Sequence, residues 1–540
     1  MSSEGAAAST SRCARSVCLL AWAVSFALVG IGFMPSAAAA QISDAWTRAI
    51  GVDVSDEPFS ARLQALGSLD VSLEEPQARI NAYSFSRNPA ALLSDEDSSV
   101  VEIPFRYSLS NDSYYDFSHS AAYRDGWVRA FLRNNKQWVL GLEADYGAAS
   151  ASRHDISPWP DQSRFIRDFD ISYPSYFQPT TGDNEIGASA TQSHIRVTYG
   201  RAYGKKLSLG ARMAFRFESE GRKVPNPYEI DLSSGSSEFT GGAQYGADLG
   251  STKLTLAGYA GWMAAHVKGV SSGSFNEDQY DWSRPQVSYG GELALKQGAW
   301  ARGVVDFSHR SNNGEEIAEI NWAPQFFLNP LSYEINNPGQ GIFKLKWTSV
   351  LSGLRRNEIA TRWMFDVQNT PAHIGVLYRY YQELEWVTPD DIVFQTMLPL
   401  DVRRLGYQAN AGISLDLPGG KGLLATEGHF SRLARTDYTG QLPEISMSEQ
   451  TYHVGAEYRA LSWLPLRAGA VVIRRDWDRA DGYPPIKGTR FTFGMGYFSG
   501  LLRSQVDASF AHEHLNCTPG DPSQELSTGD QVTFLVRHTF

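Results

Sequence analysis

The sequence predicts an all-β fold: a transmembrane antiparallel β-barrel of roughly 14 to 20 strands with an N-terminal plug. Three observations predict it. The chain closes on a period-two segment that ends in an aromatic residue, it opens on a secretory signal pattern, and long alternating segments fill the space between.

Residues Asp530 to Phe540 read Asp-Gln-Val-Thr-Phe-Leu-Val-Arg-His-Thr-Phe, so that Val532, Phe534, Val536, His538 and Phe540 share one face of an extended strand. The closing strand of an outer-membrane barrel needs a lipid-facing stripe with an aromatic at the interface, and Val536, His538 and Phe540 supply that signature.

At the other end Arg12 and Arg15 form a positive n-region, Val17 to Phe33 is apolar, and Pro35-Ser-Ala-Ala-Ala-Ala40 offers small residues for cleavage before Gln41. Residues 1–40 therefore read as a signal peptide. The alternative, a retained membrane helix, fits less well because the run is short and no second apolar stretch follows. The expectation is export by the Sec route to the outer membrane of a diderm bacterium. There the barrel would be inserted by the barrel assembly machinery and would contact outer-membrane lipid and lipopolysaccharide.

Composition removes other classes. Cys13 and Cys18 fall in the signal and leave Cys517 alone, so neither an intrachain disulfide nor a cysteine-built metal cluster can form in the mature chain. The formal net charge is −11, and one unit more negative once Arg12, Arg15 and Glu4 leave with the signal, which argues against a nucleic-acid partner. No later segment approaches the roughly 18 uninterrupted apolar residues that a membrane helix requires.

Alternation carries the barrel reading. Leu207, Leu209, Ala211, Met213, Phe215 and Phe217 interleave with Ser208, Gly210, Arg212, Ala214 and Arg216. Tyr452, Val454, Ala456 and Tyr458 do so with His453, Gly455, Glu457 and Arg459, and Leu502, Ser504, Val506, Ala508 and Phe510 with Arg503, Gln505, Asp507 and Ser509. Strands of soluble sandwiches run about five or six residues, whereas these periods persist about twice as long. The apolar faces predict lipid contact and the polar faces a lumen.

Short connections near 498–501, 461–464, 418–421, 369–372, 297–299 and 250–251 predict periplasmic turns. Long polar stretches at 476–488, 436–449, 383–404, 269–285, 218–240 and 147–193 predict outer loops. Pro324 to Gly341 breaks the pattern, being long yet on the periplasmic side of this count. Residues 97–540 form the expected barrel. Residues 41–96 lack alternation and are long enough to fill part of a lumen, so they are expected to be a plug or hatch, with a periplasmic tail as the alternative.

Three segments carry a family resemblance. Ala78-Arg-Ile-Asn-Ala-Tyr-Ser-Phe-Ser-Arg-Asn-Pro-Ala-Ala-Leu92 resembles the Asn-Pro-Ala-x-Leu segment near the start of the outer-membrane long-chain fatty acid and hydrocarbon transporters. Trp138 to Gly147 resembles an early strand of that family, and His194 to Phe215 the hairpin that follows its first long loop, with a Leu-Ser-Leu-Gly core at Leu207 to Gly210. The resemblance spans about Ala78 to Phe217 and the terminal Phe540, while His538 stands where Tyr is usual. It implies 14 strands, a plug, and a pocket behind the outer loops from which an apolar ligand leaves through the wall.

On that implication the chain is expected to be a channel for hydrophobic or amphipathic small molecules. Its alternatives are a surface docking or secretion platform for protein partners and a general porin. Trp159, Phe169, Tyr173 and Phe177 in the first long loop, with Trp386 and Phe394 in another, are the candidate ligand-binding aromatics. Arg212 and Arg503, among the lumen-facing arginines Arg196, Arg216, Arg459, Arg467 and Arg537, are candidates to hold a cargo carboxylate. Such arginines equally serve to neutralise Glu457, Asp507 and similar inward carboxylates.

No enzyme is expected. Ser504 and His538 share the lipid-facing side, but no acid or amide partner is evident. His512-Glu-His514 lacks a third ligand, so neither a metal nor another cofactor is expected.

Overall fold

The computed structural model describes residues 60–69, 71–73, 88–93, 99–114, 117–134, 137–154, 185–224, 228–272, 277–298, 300–322, 343–367, 370–389, 400–437, 445–478, 486–501, 503–516 and 525–540. The expected signal peptide, most of the expected plug segment, and Trp159, Phe169, Tyr173, Phe177 and Phe394 lie outside the described residues.

Segments with an apolar face of period two form extended strands. In chain order they are β1 (Val100–Tyr114), β2 (Phe117–Asn134), β3 (Trp138–His154), β4 (Glu185–Tyr203), β5 (Leu207–Val224), β6 (Tyr228–Leu249), β7 (Thr252–Ser272), β8 (Glu277–Gln297) and β9 (Ala301–Trp322). They continue as β10 (Phe343–Asp366), β11 (Ala372–Pro389), β12 (Leu400–Asp416), β13 (Gly422–Asp437), β14 (Ile445–Leu461), β15 (Leu464–Asp478), β16 (Ile486–Ser499), β17 (Ser504–Asn516) and β18 (Glu525–Thr539). Each strand pairs antiparallel with its neighbours in sequence, and β1 pairs with β18 from Val100↔Thr539 to Asp112↔Ser527, so the 18-stranded sheet closes. Closure leaves no sheet edge, as a chain in lipid requires. Among the described residues no helix is long and apolar enough to cross a membrane.

The two faces separate as alternation demands. On β14, Tyr452, Val454 and Tyr458 are exposed while His453 and Glu457 are buried; on β5, Leu207, Leu209, Met213, Phe215 and Phe217 are exposed. Phe534, Val536 and Phe540 are exposed at the closing strand. These outward residues form the lipid belt of an outer-membrane barrel, and the inward ones line its lumen.

Connections after the even-numbered strands are short, as at 204–206, 250–251, 367–371, 417–421 and 462–463, and they define a turn rim where both ends of the sheet also meet. Connections after the odd-numbered strands define the opposite, loop rim. By barrel convention the turn rim is periplasmic.

Four expectations need correction, the first being the 14 strands that the resemblance implies, since the closed sheet has 18. Pro324 to Gly341 itself lies outside the described residues, but Trp322 of β9 and Phe343 of β10, which flank it, pair at the loop rim and not at the turn rim. The stretches expected as loops at 218–240 and 269–285 are largely strand: β5 runs on to Val224, β6 begins at Tyr228, β7 runs to Ser272 and β8 begins at Glu277. Beyond the lipid belt neither face has to be apolar, so these strand ends carry Ser, Gly and charged residues and read as loop. Arg503 is not a strand residue; it stands exposed in the β16–β17 turn with φ at 47°.

Candidate functional site

Inside the turn-rim half of the barrel lies α1 (Ala61–Ala65), a helix of one turn whose N-cap Ser60 accepts a hydrogen bond from the Leu63 amide at 3.2 Å. Gly67 follows it at φ 83°, the left-handed conformation that ends a helix without a Cβ penalty. The chain then lies against the wall as far as Leu73.

The wall is shaped for it. Gly375 and Gly412 are partners in the β11–β12 register, and Gly455 and Gly469 in the β14–β15 register, with Gly494 on β16 beyond them. A Cβ on Gly375 would stand 1.7 Å from the Val71 carbonyl oxygen, on Gly455 2.3 Å from that of Leu66, and on Gly469 2.2 Å from the Gly67 nitrogen. These contacts are possible only where the wall residue has no side chain. Between the glycines, Leu423 and Ala425 of β13 pack with Leu66, Leu69 and Leu73, with Leu63 against the cluster. Each buried Leu there contributes roughly 1.5–3 kcal/mol.

Polar contacts fix the register of this segment. Thr492 Oγ1 donates to the Ala65 carbonyl at 2.9 Å and accepts from the Gly67 amide at 3.0 Å. Glu427 Oε1 accepts from the Val71 amide (2.9 Å), the Ser72 amide (2.6 Å) and Ser72 Oγ (2.6 Å). Ser414 Oγ donates to the Ser72 carbonyl at 2.7 Å. Arg62 Nε donates to Glu457 Oε2 at 2.8 Å, and Gln64 bonds Gln531, Ser509 and Thr533.

A second station sits across the lumen. The 3-10 turn Pro89–Leu93 packs on β3 to β6, where Gly210 and Gly242 are register partners. A Cβ on Gly242 would meet Asn88 Oδ1 at 2.1 Å, and one on Gly210 the Ala90 nitrogen at 2.5 Å. Asn88 caps the turn by accepting from the Ala90 amide at 3.0 Å, and its side-chain amide donates to the Ala243 carbonyl at 3.2 Å. The described parts of 41–96 are thus lumen plug, gripping both walls.

The inward arginines are matched with carboxylates. Glu457 receives Arg62, Arg459 and Arg467, and Arg467 also reaches Asp507, which Gln505 contacts. Across the barrel Arg356 and Arg379 lie on Glu358, and Arg356 and Arg404 on Glu383, with the Arg356 guanidinium 4.3 Å over the Tyr381 ring. Arg212 pairs with Glu238 at 3.1 Å, Arg196 approaches Glu143 at 3.8 Å, and Arg537 approaches Glu102 at 3.3 Å.

The ladder hydrogen bonding, though not the register, lapses at two prolines. The β1–β2 ladder runs from Val100↔Phe131 to Glu102↔Arg129 and resumes at Phe105↔Gly126, skipping Ile103 and Pro104 opposite Trp127 and Val128. Proline has no N–H to give a ladder. The β8–β9 ladder likewise skips from Trp282↔Glu316 to Gln286↔Asn312, around Pro285. On the lumen side of the first lapse, buried Trp127 carries the Arg129 guanidinium 4.1 Å above its ring. A separate recess of about 260 Å³ lies on the outward face, lined by Trp363, Val376, Tyr378, Ala409, Ala411 and Gly428.

Several of the residues singled out in the sequence take defined places. Trp386, expected in a loop, belongs to β11, opposite Gly353 and Asp401. Arg212 and Arg503 are not brought together, since one is engaged on β5 and the other stands in a turn. His538 Nδ1 lies 2.9 Å from Ser504 Oγ and its ring stacks on Phe540. Among the described residues no carboxylate or amide is bonded to its Nε2. His512 bonds Asp530 and His514 bonds Asn516, while Glu513 faces the lumen with Arg490. Among the described residues no cluster of three such side chains is placed to hold a metal ion. Sequence reasoning missed Glu427, Thr492 and the wall glycines; the signal available was glycine recurring on the inward parity of consecutive strands.

Lumen and wall together define a plugged, membrane-spanning β-barrel. No family model matches the sequence, and no curated protein matches it. Among solved structures, the toluene transporter TbuX of Ralstonia pickettii matches over 89% of this chain and 98% of its own, at 12% identity and a TM-score of 0.34. The CymD monoaromatic hydrocarbon channel matches over 89% and 96%, at 11% identity and a TM-score of 0.33. A Pseudomonas aeruginosa FadL homologue matches over 89% and 98%, at 9% identity and a TM-score of 0.39. The reading of the fold rests on the closed strand ladders themselves.

Proposed function

We propose that the protein is an outer-membrane conduit for apolar or amphipathic small molecules, taken up through the loop rim and passed sideways through the wall. The observation that carries this reading is the lapse of the β1–β2 ladder at Pro104, in a barrel whose turn-rim half holds a plug. A hydrated solute gains nothing from an opening onto lipid. An apolar one does, because leaving water for hydrocarbon is favourable. The loop aromatics Trp159, Phe169, Tyr173, Phe177 and Phe394, with Trp386 at the end of β11, are proposed as the surface that first collects it. Arg212, already paired with Glu238, would hold a cargo carboxylate only by exchange of partners.

A docking platform for a secreted protein is the second reading, and the occupied lumen suits it as well. Native mass spectrometry and lipid extraction of the protein purified in mild detergent separate the two. The conduit reading expects a co-purified fatty acid or hydrocarbon, lost in the Phe169→Ala, Tyr173→Ala double variant. An empty barrel that brings down a soluble protein overturns it in favour of docking.

A further inference from the structure

We propose that the outward face of β10 to β13 is a binding site for lipopolysaccharide, its phosphates resting on Arg355, Arg403 and Arg432 and one acyl chain lying in the recess between Trp363 and Gly428. The inference goes beyond the transport reading and holds equally for a conduit or a docking platform.

Alternation decides which side chains look outward here. Ile359, Ile413 and Leu424 are exposed on the lipid face of β10, β12 and β13, and Arg355, Arg403 and Arg432 share their parity in unbroken ladders. Leu384 of β11 is the register partner of both Arg355 and Arg403, which sets these two arginines about 10 Å apart at a strand spacing of about 4.8 Å. Arg432 pairs with Tyr407, further along β12 towards the turn rim. The apolar belt reaches down to that rim, where Leu415, Leu461, Trp463 and Phe540 are exposed. At about 3.3 Å per residue and a tilt near 40°, the three arginines stand about 25 to 33 Å above the rim, at and just beyond the upper edge of a belt about 25 Å tall. The recess lies beneath them, about 8 to 18 Å above the rim and so around the middle of the belt. Between the two levels Tyr407 and Phe430 hold their rings 5.6 Å apart, where aromatic side chains meet the headgroup layer.

Each level matches one part of such a lipid. An outward guanidinium is costly at the middle of the belt, whereas at its edge it meets the headgroups and can take a phosphate through two parallel N–H bonds. Arg432 Nε donates to Ser446 Oγ at 3.0 Å, which holds that guanidinium on the wall. The floor of the recess is Ala409, Ala411 and Gly428, a methyl group or less at each place, with the rings of Trp363 and Tyr378 beside it. Its volume of about 260 Å³ is lined with carbon, so a hydrocarbon chain fills it and water does not. Cations at the loop-rim edge of the belt and a tail that ends near its middle describe a lipid of the outer leaflet. Lipopolysaccharide carries more than one phosphate on a single headgroup, which is what arginines spread over β10 to β13 can use.

Native mass spectrometry of the full mature chain, stripped of lipid in detergent and titrated with purified lipopolysaccharide, tests this. Wild type is expected to bind lipopolysaccharide in preference to phosphatidylglycerol and to lipopolysaccharide freed of its phosphates. The Arg403→Gln, Arg432→Gln double variant is expected to bind about 25-fold more weakly, at about fivefold for each arginine that faces an anionic lipid. Gly428→Leu fills the recess and keeps every arginine; a side chain fits there, because a Cβ would meet the Tyr452 ring at an ordinary 3.9 Å. It is expected to weaken binding about tenfold. Arg474→Gln, at an outward arginine of β15 bonded to Asp476, is the control and is expected to change nothing. Binding that survives either site variant, or that Arg474→Gln weakens as much as the double variant, overturns the site and leaves a lipid annulus only. Phosphatidylglycerol held as tightly as lipopolysaccharide, and lost in the same variants, overturns the choice of lipid. Heat-modifiable electrophoretic mobility reports whether each variant is a closed barrel. Should the double variant fail to close, Gly428→Leu decides alone, and the reverse holds.

Discussion

Gly455 of β14 and Gly469 of β15 stand opposite each other in the sheet, and the backbone of Leu66 and Gly67 lies on the bare patch they share. Valine at either position is expected to unseat the plug without opening the barrel, because each Cβ would fall well inside contact distance of plug backbone. Increased exchange of peptide 60–73 with unchanged heat-modifiable mobility is the expected result. Wild-type protection in Gly455→Val would mean that the wall does not shape the track.

Arg467 has a fully buried side chain between Glu457 and Asp507, both equally enclosed. Arg467→Ala leaves two carboxylates without their shared cation, and the expected loss is about 3–5 kcal/mol in denaturant unfolding from lipid vesicles. Arg474, which bonds Asp476 in an exposed position, is the contrasting site. Its replacement by Ala should move the same midpoint little.

Pro104 keeps the β1–β2 ladder open. Pro104→Val supplies the missing N–H and is expected to add about 1 kcal/mol of stability as a new rung forms. On the conduit reading it also slows transfer of a labelled fatty acid or hydrocarbon into proteoliposome membranes. Faster or equal transfer with a closed ladder would place the exit elsewhere, the lapse at Pro285 being the next site to close.

Phe540 donates its amide to the Ser99 carbonyl at 3.0 Å and stacks on His538, so it lies at the seam where the sheet closes. Deleting it is expected to lower the yield of heat-modifiable barrel on refolding into vesicles, with little effect on barrels already formed. A full refolding yield would contradict this role.

The lipid-facing half of the fold was legible because lipid imposes a strict rule. Tyr452, Val454 and Tyr458, like Leu207, Leu209, Met213, Phe215 and Phe217, stand outward at alternate positions, and the terminal Val536 and Phe540 mark the closing strand. Where the strands leave the membrane that rule lapses, and the ends of β5, β6, β7 and β8 read as loop. The plug site was half legible. Asn88-Pro89-Ala90 and Leu207-Ser-Leu-Gly210 stood out separately, and in the structure they touch, Gly210 being bare so that Ala90 can approach. Glu427 and Thr492 looked like any inward polar residue, since their role depends on a segment more than 350 positions away in the chain. The inward arginines were readable as wall pairs, but which carboxylate each meets is set by register and not by spacing.

The strands are unequal in length around the ring. β6 to β10 have 22, 21, 21, 22 and 24 residues, whereas β15 to β18 have 15, 14, 13 and 15. At about 3.3 Å per residue and a tilt near 40°, β10 rises about 60 Å and β17 about 33 Å, against a lipid belt of about 25 Å. All of them start from the same turn rim, so the difference emerges on one side of the mouth. Among the described residues the wall of strands is therefore cut on a slant, standing about twice as high on the β6–β10 side as on the β15–β18 side.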